Sequence, residues 1–392
     1  MKIAMIDPSA YTPPYDHALC AALGELGADV ELLTSRFPYG TTPPPSGYRR
    51  IELFYKRSHA APAAGPRSRL RLALKLAEHV PDMVRCRSLA ARAEIAHYQW
   101  LPVQPLDIHM LPRRQRGSGA PKLVLTAHDV MPREPRPGQL RAQRRLYERF
   151  DAIVVHSEHG RGRLTGELGI DPARVHVIPH GAFTHLAQEQ EQEQTQEQTQ
   201  EPGSPRTAGP QPQSGSGAPL VLFFGLLRPY KGLDLLLDAW RALGPEGRRG
   251  AELWIVGMPR MELDALDLAQ EGVTVVPRFV DDDELPIYFQ RAKLVVLPYR
   301  EIDQSGVLFT ALAFGRPLLL SDVGGFPEIA ATGAARTFPA GDAGALRTAL
   351  AELLDDEQAL TRMGAAAAAA AQGLYAWKTI AKAHLDLYRS LL

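Results

Sequence analysis

The chain has 392 residues, 45% of them hydrophobic, and its 44 Lys and Arg are balanced by 44 Asp and Glu. That is too long for one ordinary core and supplies enough apolar material for two. The 2 cysteines, Cys20 and Cys86, exclude a disulfide framework and a multi-cysteine metal site, and both read as buried thiols.

The zero net charge hides an asymmetry. Residues 1–150 hold 23 Lys and Arg against 13 Asp and Glu, so the first part of the chain is expected to meet anionic partners. Met1 to Ile6 lacks the charged-then-apolar organisation of a signal segment and runs into Asp7-Pro8-Ser9, which reads as a first strand kept in the mature protein. No window approaches the roughly 18 apolar residues of a membrane span, and a cytoplasmic protein is the expectation.

Short apolar runs then alternate with segments of helical period: Lys2 to Ile6, Asp29 to Leu33, Ile51 to Tyr55, Ile95 to Tyr98, Leu123 to Thr126, Ile153 to His156 and Val175 to Ile178. This rhythm predicts a parallel sheet with crossover helices. It resumes with Leu220 to Phe224, Leu253 to Val256, Val273 to Val276, Leu294 to Leu297 and Pro317 to Leu320. Two doubly wound α/β units are expected, over 1–186 and 220–374.

Between them, 187–219 is a Gln/Glu/Thr run followed by a Gly/Ser/Pro run with almost no apolar residue, so it is expected to be disordered and to mark the hinge. Seven alanines from Ala365 to Ala371 predict a plain helix. The last segment, 375–392, is amphipathic, with Trp377, Ile380, Ala381, Leu385 and Tyr388 on one face, and a helix packed across the domain junction is expected there.

The basic segment Arg67 to Arg92 carries Arg67, Arg69, Arg71, Lys75, Arg85, Arg87 and Arg92 among Leu70, Leu72, Leu74, Leu76, Val80 and Val84. It reads equally as a solvated basic helix or as one lying on the anionic inner face of a membrane. It lacks the interleaved aromatics of a nucleic-acid stacking platform.

Two strand ends carry the chemistry. After Leu220 to Phe224, Gly225 opens a loop with Arg228 and Lys231, cations spaced to offset a diphosphate. After Leu294 to Leu297 come Glu301, Gln304, Ser305, Gly306 and Val307, where the amides of a helix start attract an anion. His128, following Leu123 to Thr126, projects from a strand end. His97 sits at another, and Tyr15 and Asp16 lie in the loop region after the first strand.

As a set, these residues resemble the retaining glycosyltransferases of family 4, which have the GT-B architecture of two Rossmann-like domains facing across a cleft. The resemblance rests on Phe224 to Gly232 with Asp234 and Ala239, Val256-Gly257, Ala313 to Pro317 and Ser321 to Glu328. In the first half it rests on Thr12 to Leu19, Thr126 to Asp129 and Val177 to Gly181. It implies a nucleotide-diphosphate-sugar donor held by the C-terminal domain, a glycan, lipid or small-molecule acceptor held by the N-terminal one, and retention of anomeric configuration. No metal or cofactor is implied. Arg228, Lys231, His128 and Glu301 become the catalytic candidates, Gly225, Gln304, Ser305, Gly306, Val307 and Thr310 the donor-binding ones, and Tyr15, Asp16 and His97 the residues expected on the acceptor side.

Two departures stand out. The family often carries two glutamates separated by seven residues; counting back from Ala313-Phe314-Gly315 puts them at Ile302 and Thr310, neither acidic. Glu301 lies one position away, Thr310 offers a hydroxyl for ribose, and Gln304-Ser305-Gly306 marks a sub-branch. The first loop has Tyr11-Thr12-Pro13-Pro14-Tyr15-Asp16 where many members have glycines. Asp16 there either caps the following helix or reaches the acceptor. Two rival readings remain: a catalytically silent partner or binding protein of the same fold, and a sugar-nucleotide epimerase, which needs an acid/base carboxylate pair near the sugar that the sequence does not place.

Overall fold

The computed structural model describes residues 1–37, 40–60, 69–112, 119–132, 137–187 and 218–392. Arg67, the side chains of 69–72 and most of the 187–219 segment lie outside the described residues.

The chain forms two compact units: residues 1–181 with 377–392, and residues 182–376. The first holds a seven-stranded sheet of order β3-β2-β1-β4-β5-β6-β7. Its strands are β1 (Lys2–Asp7), β2 (Asp29–Ser35), β3 (Arg49–Phe54), β4 (Ile95–Tyr98), β5 (Lys122–Thr126), β6 (Ala152–Val155) and β7 (Val175–Val177). Every pairing is parallel, as between Ile3 and Val30 of β1 and β2. The second unit repeats the plan in the order β10-β9-β8-β11-β12-β13. Here β8 is Leu220–Phe224, β9 Glu252–Val256, β10 Val273–Val276, β11 Ala292–Leu297, β12 Leu318–Ser321 and β13 Ala335–Phe338.

Crossovers cover both faces of these sheets, so central strands read as unbroken apolar runs. Leu294, Val295, Val296 and Leu297 of β11 are all 0% exposed. Strand β13 has no such signature: its Ala335-Arg336-Thr337 lies at the sheet edge, half exposed, and the periodicity did not predict it.

The alanine-rich stretch is helical over Glu357–Gln372, preceded by a separate helix Ala343–Asp355. Each starts on an aspartate: Asp342 accepts from Ala345 N and Asp356 from Ala359 N, at 2.9 and 2.8 Å. These caps satisfy amides that a helix start leaves without a partner.

The terminal helix Trp377–Leu391 belongs to the first unit and packs on the helix Pro13–Glu25. Trp377, Ile380, Ala381, Leu385 and Tyr388, its expected apolar face, are the buried ones, joined by His384 and Leu387. Trp377 lies flat against Gly181, where any Cβ would come within 2.5 Å of the indole. Cys20 and Cys86 are both buried thiols. Among the described residues no helix is long and apolar enough to cross a membrane.

Candidate functional site

In the second sheet the strand order reverses between β8 and β11, and at such a point a crevice opens beyond the carboxyl ends of the strands. Gly225, the residue after β8, has φ 105°. A Cβ there would lie 2.9 Å from Lys231 Nζ and 3.0 Å from Val307 Cγ2. Ammonium, bare backbone and the first turn of the helix Gly306–Ala313 therefore meet at one place.

Lys231 is held there by its local fold. It ends the 3₁₀ turn Pro229–Lys231, which Gly232 closes at φ 66°, and its side chain is buried with Nζ 5.2 Å from the Tyr299 ring centroid. A cation over a ring face is attracted by the ring's quadrupole. Arg228, at the start of the same turn, is exposed. Ser305 precedes the helix as its N-cap without a capping bond from its side chain, and it is itself buried. Gln304 Oε1 accepts from Ser305 N at 3.3 Å.

The loop from Pro298 to Ser305 is clamped from both sides. On one side Gly232 is so close that a Cβ would sit 2.0 Å from Pro298 O, Arg300 N donates to Tyr230 O at 2.8 Å, and the Arg300 guanidinium forks onto Asp234 at 2.8 and 2.7 Å. That fork holds the Asp234 carboxyl below its usual range. On the other side Ser321 Oγ donates to Tyr299 O at 2.6 Å, and Gly324, at φ 57°, would place a Cβ 1.9 Å from Ile302 O. Glycines at 232 and 324 let three loops pack backbone to backbone.

This packing determines what became of the family's two acidic positions. Ile302 is 9% exposed, an apolar plug in the clamp. Thr310 is buried, and its hydroxyl donates to Gly306 O at 3.1 Å, one turn back in its own helix. Glu301 is exposed and borders an open hollow with Pro229, Tyr230, Asp234, Met261, Leu266 and Arg300.

In the first unit β5, β6 and β7 are each followed within three residues by a histidine: His128, His156 and His180. Parallel pairing brings them side by side. His156 Nδ1 donates to Ile178 O at 3.0 Å and its Nε2 lies 3.3 Å from His128 Nδ1. Burial lowers the pKa of His156 to about 4, and burial followed by the neighbouring histidines pushes His128 and His180 well below the usual value. All three are neutral at pH 7. A neutral His156 that donates through Nδ1 presents a lone pair at Nε2 toward His128. His128 Nε2 lies 3.0 Å from Gln99 Oε1, and its ring stacks on Trp100 with centroids 5.0 Å apart. Unlike its neighbours, His128 keeps part of its surface exposed, so it can touch a ligand while the row behind it holds the ring in place.

Three expected acceptor-side residues are placed differently. His97 is 0% exposed; its Nδ1 pairs with Tyr388 OH at 2.6 Å and its Nε2 with Thr126 Oγ1 at 2.8 Å, because alternation along β4 turns it under the terminal helix. Tyr15 is 1% exposed and forms the hub of the histidine row, 4.8 Å from His128, 4.9 Å from His180 and 5.2 Å from Trp377 between ring centroids. Asp16 is buried in the first turn and caps nothing; Thr12 is the N-cap. It borders a small cavity with Thr34, Ser35 and Tyr48.

Sequence reasoning missed the partner of Asp16. Asp7, fully buried at the end of β1, accepts from the amides of Ser9, Tyr11 and Thr12 at 3.2, 2.6 and 3.3 Å. Its carboxyl hydrogen-bonds to that of Asp16, and burial raises both pKa values, that of Asp16 well above the usual range. A hydrogen bond between the two carboxyls requires a proton on one of them, so the pair shares one. Both carboxyls are interior, so this is no acid/base pair facing a sugar.

Residues 15–185 match the family model described as Glycosyltransferase Family 4, and residues 218–356 that described as Glycosyl transferases group 1. A relative, D-inositol 3-phosphate glycosyltransferase 2 of Catenulispora acidiphila, is 28% identical over 65% of this chain and 60% of its own. GDP-mannose:glycolipid 4-beta-D-mannosyltransferase of Xanthomonas campestris pv. campestris is 26% identical over 62% of this chain and 68% of its own. The chain thus spans somewhat under two thirds of the first of these relatives. Among solved structures, sucrose-phosphate synthase from Thermosynechococcus elongatus superposes with a TM-score of 0.72 at 21% identity, covering 100% of this chain and 99% of that one. Anabaena HepE in complex with UDP-glucose superposes with a TM-score of 0.68 at 16% identity, over 100% of both chains; at such identities the likeness is one of fold. A glycosyltransferase model thus matches each of the two Rossmann-like units.

Proposed function

We propose that the protein transfers a sugar from a nucleotide-diphosphate sugar to a hydroxyl-bearing acceptor, with retention at the anomeric carbon and without a bound metal. The observation that carries this reading is Lys231, a buried ammonium set against Gly225 and the start of the helix Gly306–Ala313. Such a place favours an anion.

In the reaction the bond between the anomeric carbon and the diphosphate oxygen breaks, and the electron pair leaves with the diphosphate. Lys231, Arg228 and the amides opening the helix at Gly306 and Val307 offset the charge that develops on it. The acceptor oxygen bonds to the same carbon from the same face, and its proton passes to the departing phosphate oxygen. No protein nucleophile is needed. By the resemblance Gly225, Gln304 and Ser305 shape the donor loop, and Glu301 and Thr310 are the candidates for the sugar and ribose contacts. His128, by the same resemblance, hydrogen-bonds the sugar or phosphate as a neutral imidazole.

The test is release of nucleotide from a panel of nucleotide-diphosphate sugars in EDTA, with and without candidate acceptors. Lys231→Ala is expected to lower turnover roughly 100- to 1000-fold, the weight of one preorganised donor. The anomeric coupling constant of the product reads retention, a measurement given point by the Xanthomonas relative, whose name specifies a β linkage. One observation favours a second reading: the buried Ile302 removes a carboxylate from the sugar side. Donor binding with neither hydrolysis nor transfer would establish that silent-partner reading and overturn the first.

A further inference from the structure

The helix Arg69–Ala90 carries an apolar arc wider than the first unit covers. Met83, Cys86 and Ala90 are at most 1% exposed, whereas Leu76, Val80 and Val84 are 53, 44 and 52% exposed. At four-residue spacing these three form one stripe about 12 Å long, and the exposed Ala77 and Pro81 widen it.

Buried polar bonds prevent the helix from turning this stripe inward. His79 is pinned between Tyr55 OH at 2.8 Å and Asp107 at 2.6 Å. Asp82 accepts from Tyr55 N at 2.9 Å, and Glu78 accepts from Arg57 N and Ser58 N at 2.8 Å each. Rotation would break all of these and leave buried groups without partners. The same bonds direct both acids of the helix toward the protein. On the outer side stand Arg87, among the stripe residues, and Arg85, whose side chain is 70% exposed and touches Asp82 at 3.5 Å.

We propose that this face docks on an anionic lipid surface, with Leu76, Val80 and Val84 entering the headgroup boundary and Arg85 and Arg87 meeting lipid phosphates. Charge complementarity selects this occupant: the helix spends its acids internally, and residues 1–150 hold 23 Lys and Arg against 13 Asp and Glu. Apolar insertion joined to cation–lipid attraction is how an interfacial helix binds. The inference stands on the helix face and does not depend on the transferase reading, because vesicle binding is scored without any donor.

The test is co-sedimentation of the full chain with vesicles of phosphatidylglycerol and phosphatidylcholine, and with phosphatidylcholine alone, at low and high salt. Binding is expected only to the anionic vesicles and is expected to weaken with salt. Arg85→Gln/Arg87→Gln should lower the affinity roughly fivefold per arginine. Leu76→Asn/Val80→Asn/Val84→Asn should abolish binding while its melting temperature stays near that of the wild type, since the three side chains are largely outside the core. Equal binding by the wild type and the triple variant, or no binding to anionic vesicles, overturns the proposal. Self-association that the triple variant abolishes, without vesicle binding, assigns the face to a second copy of the chain instead.

Discussion

Acid should loosen the first unit through its buried histidines, and His384 provides the clearest measure. It is 0% exposed, its Nδ1 donates to Ile380 O at 2.9 Å, and its Nε2 has no hydrogen-bond partner. Burial lowers its pKa to about 4, against about 6.5 in an unfolded chain. Below pH 6.5 the unfolded chain takes up a proton that the folded one refuses, so stability present at neutral pH is lost as the pH falls from about 6.5 toward 4. At pH 5 the loss is about 2 kcal/mol. His156, with the same folded value, adds to it. Asp7 and Asp16 work the other way: their raised pKa values let the folded state bind protons first, which favours folding in mild acid. His384→Leu separates the two effects, since it removes the titrating ring while the Ile380 carbonyl keeps its place in the helix ladder. Hydrogen exchange of the terminal helix and of β4 to β6, corrected for intrinsic rates, reads the first unit alone. Between pH 7.5 and pH 5 the wild type is expected to lose roughly 30-fold more protection than the variant. Parallel losses in the two proteins would refute the reasoning, because His384 would then carry no linked proton.

Gly225→Ala forces a side chain into φ 105° and crowds Lys231 Nζ; about 1–3 kcal/mol of stability should go with the strain, and titration calorimetry should show donor affinity down tenfold or more, the weight of a displaced charged contact. Ile302→Glu restores the family's residue type to a position that is 9% exposed; a carboxylate there should lower the melting temperature through its desolvation cost without raising turnover. A faster enzyme would show that the loop still has a glutamate's place in it.

Much of the fold was legible because parallel strands buried on both faces write themselves as apolar runs. Ile95–Tyr98 and Leu220–Phe224 stand where their residues put them, while β13, whose Arg336 pairs with Glu352 at the surface, lacks that signature. The neighbourhood of Gly225 and Lys231 was legible for a related reason: strand, glycine and cation follow one another within a dozen residues. The first unit's polar interior was not, since Asp7 and Asp16, or Tyr55, His79 and Asp107, meet only through tertiary packing. The histidine row had a signal that went unused, one histidine just beyond each of three successive strands. His97 was misplaced because a strand residue's face depends on what covers the sheet, and here that is a helix almost 300 residues away in sequence.

The two units share a topology and use it in opposite ways. Where the first sheet reverses, between β1 and β4, the loop amides that could meet a phosphate are turned onto the carboxylate of Asp7. The neighbouring strand ends present neutral imidazoles. At the corresponding reversal in the second unit, glycine replaces the acid and a lysine fills the crevice. A diphosphate brought to the first crevice would find its amides taken and a partly charged carboxyl pair behind them, a repulsion that low-dielectric surroundings strengthen. A neutral polyol would meet only hydrogen-bonding edges. The contrast between the halves therefore needs no difference in fold: β1 ends on the acid Asp7, whereas β8 is followed by Gly225 and the buried Lys231, and this supports the proposed assignment of the anionic donor to the second unit.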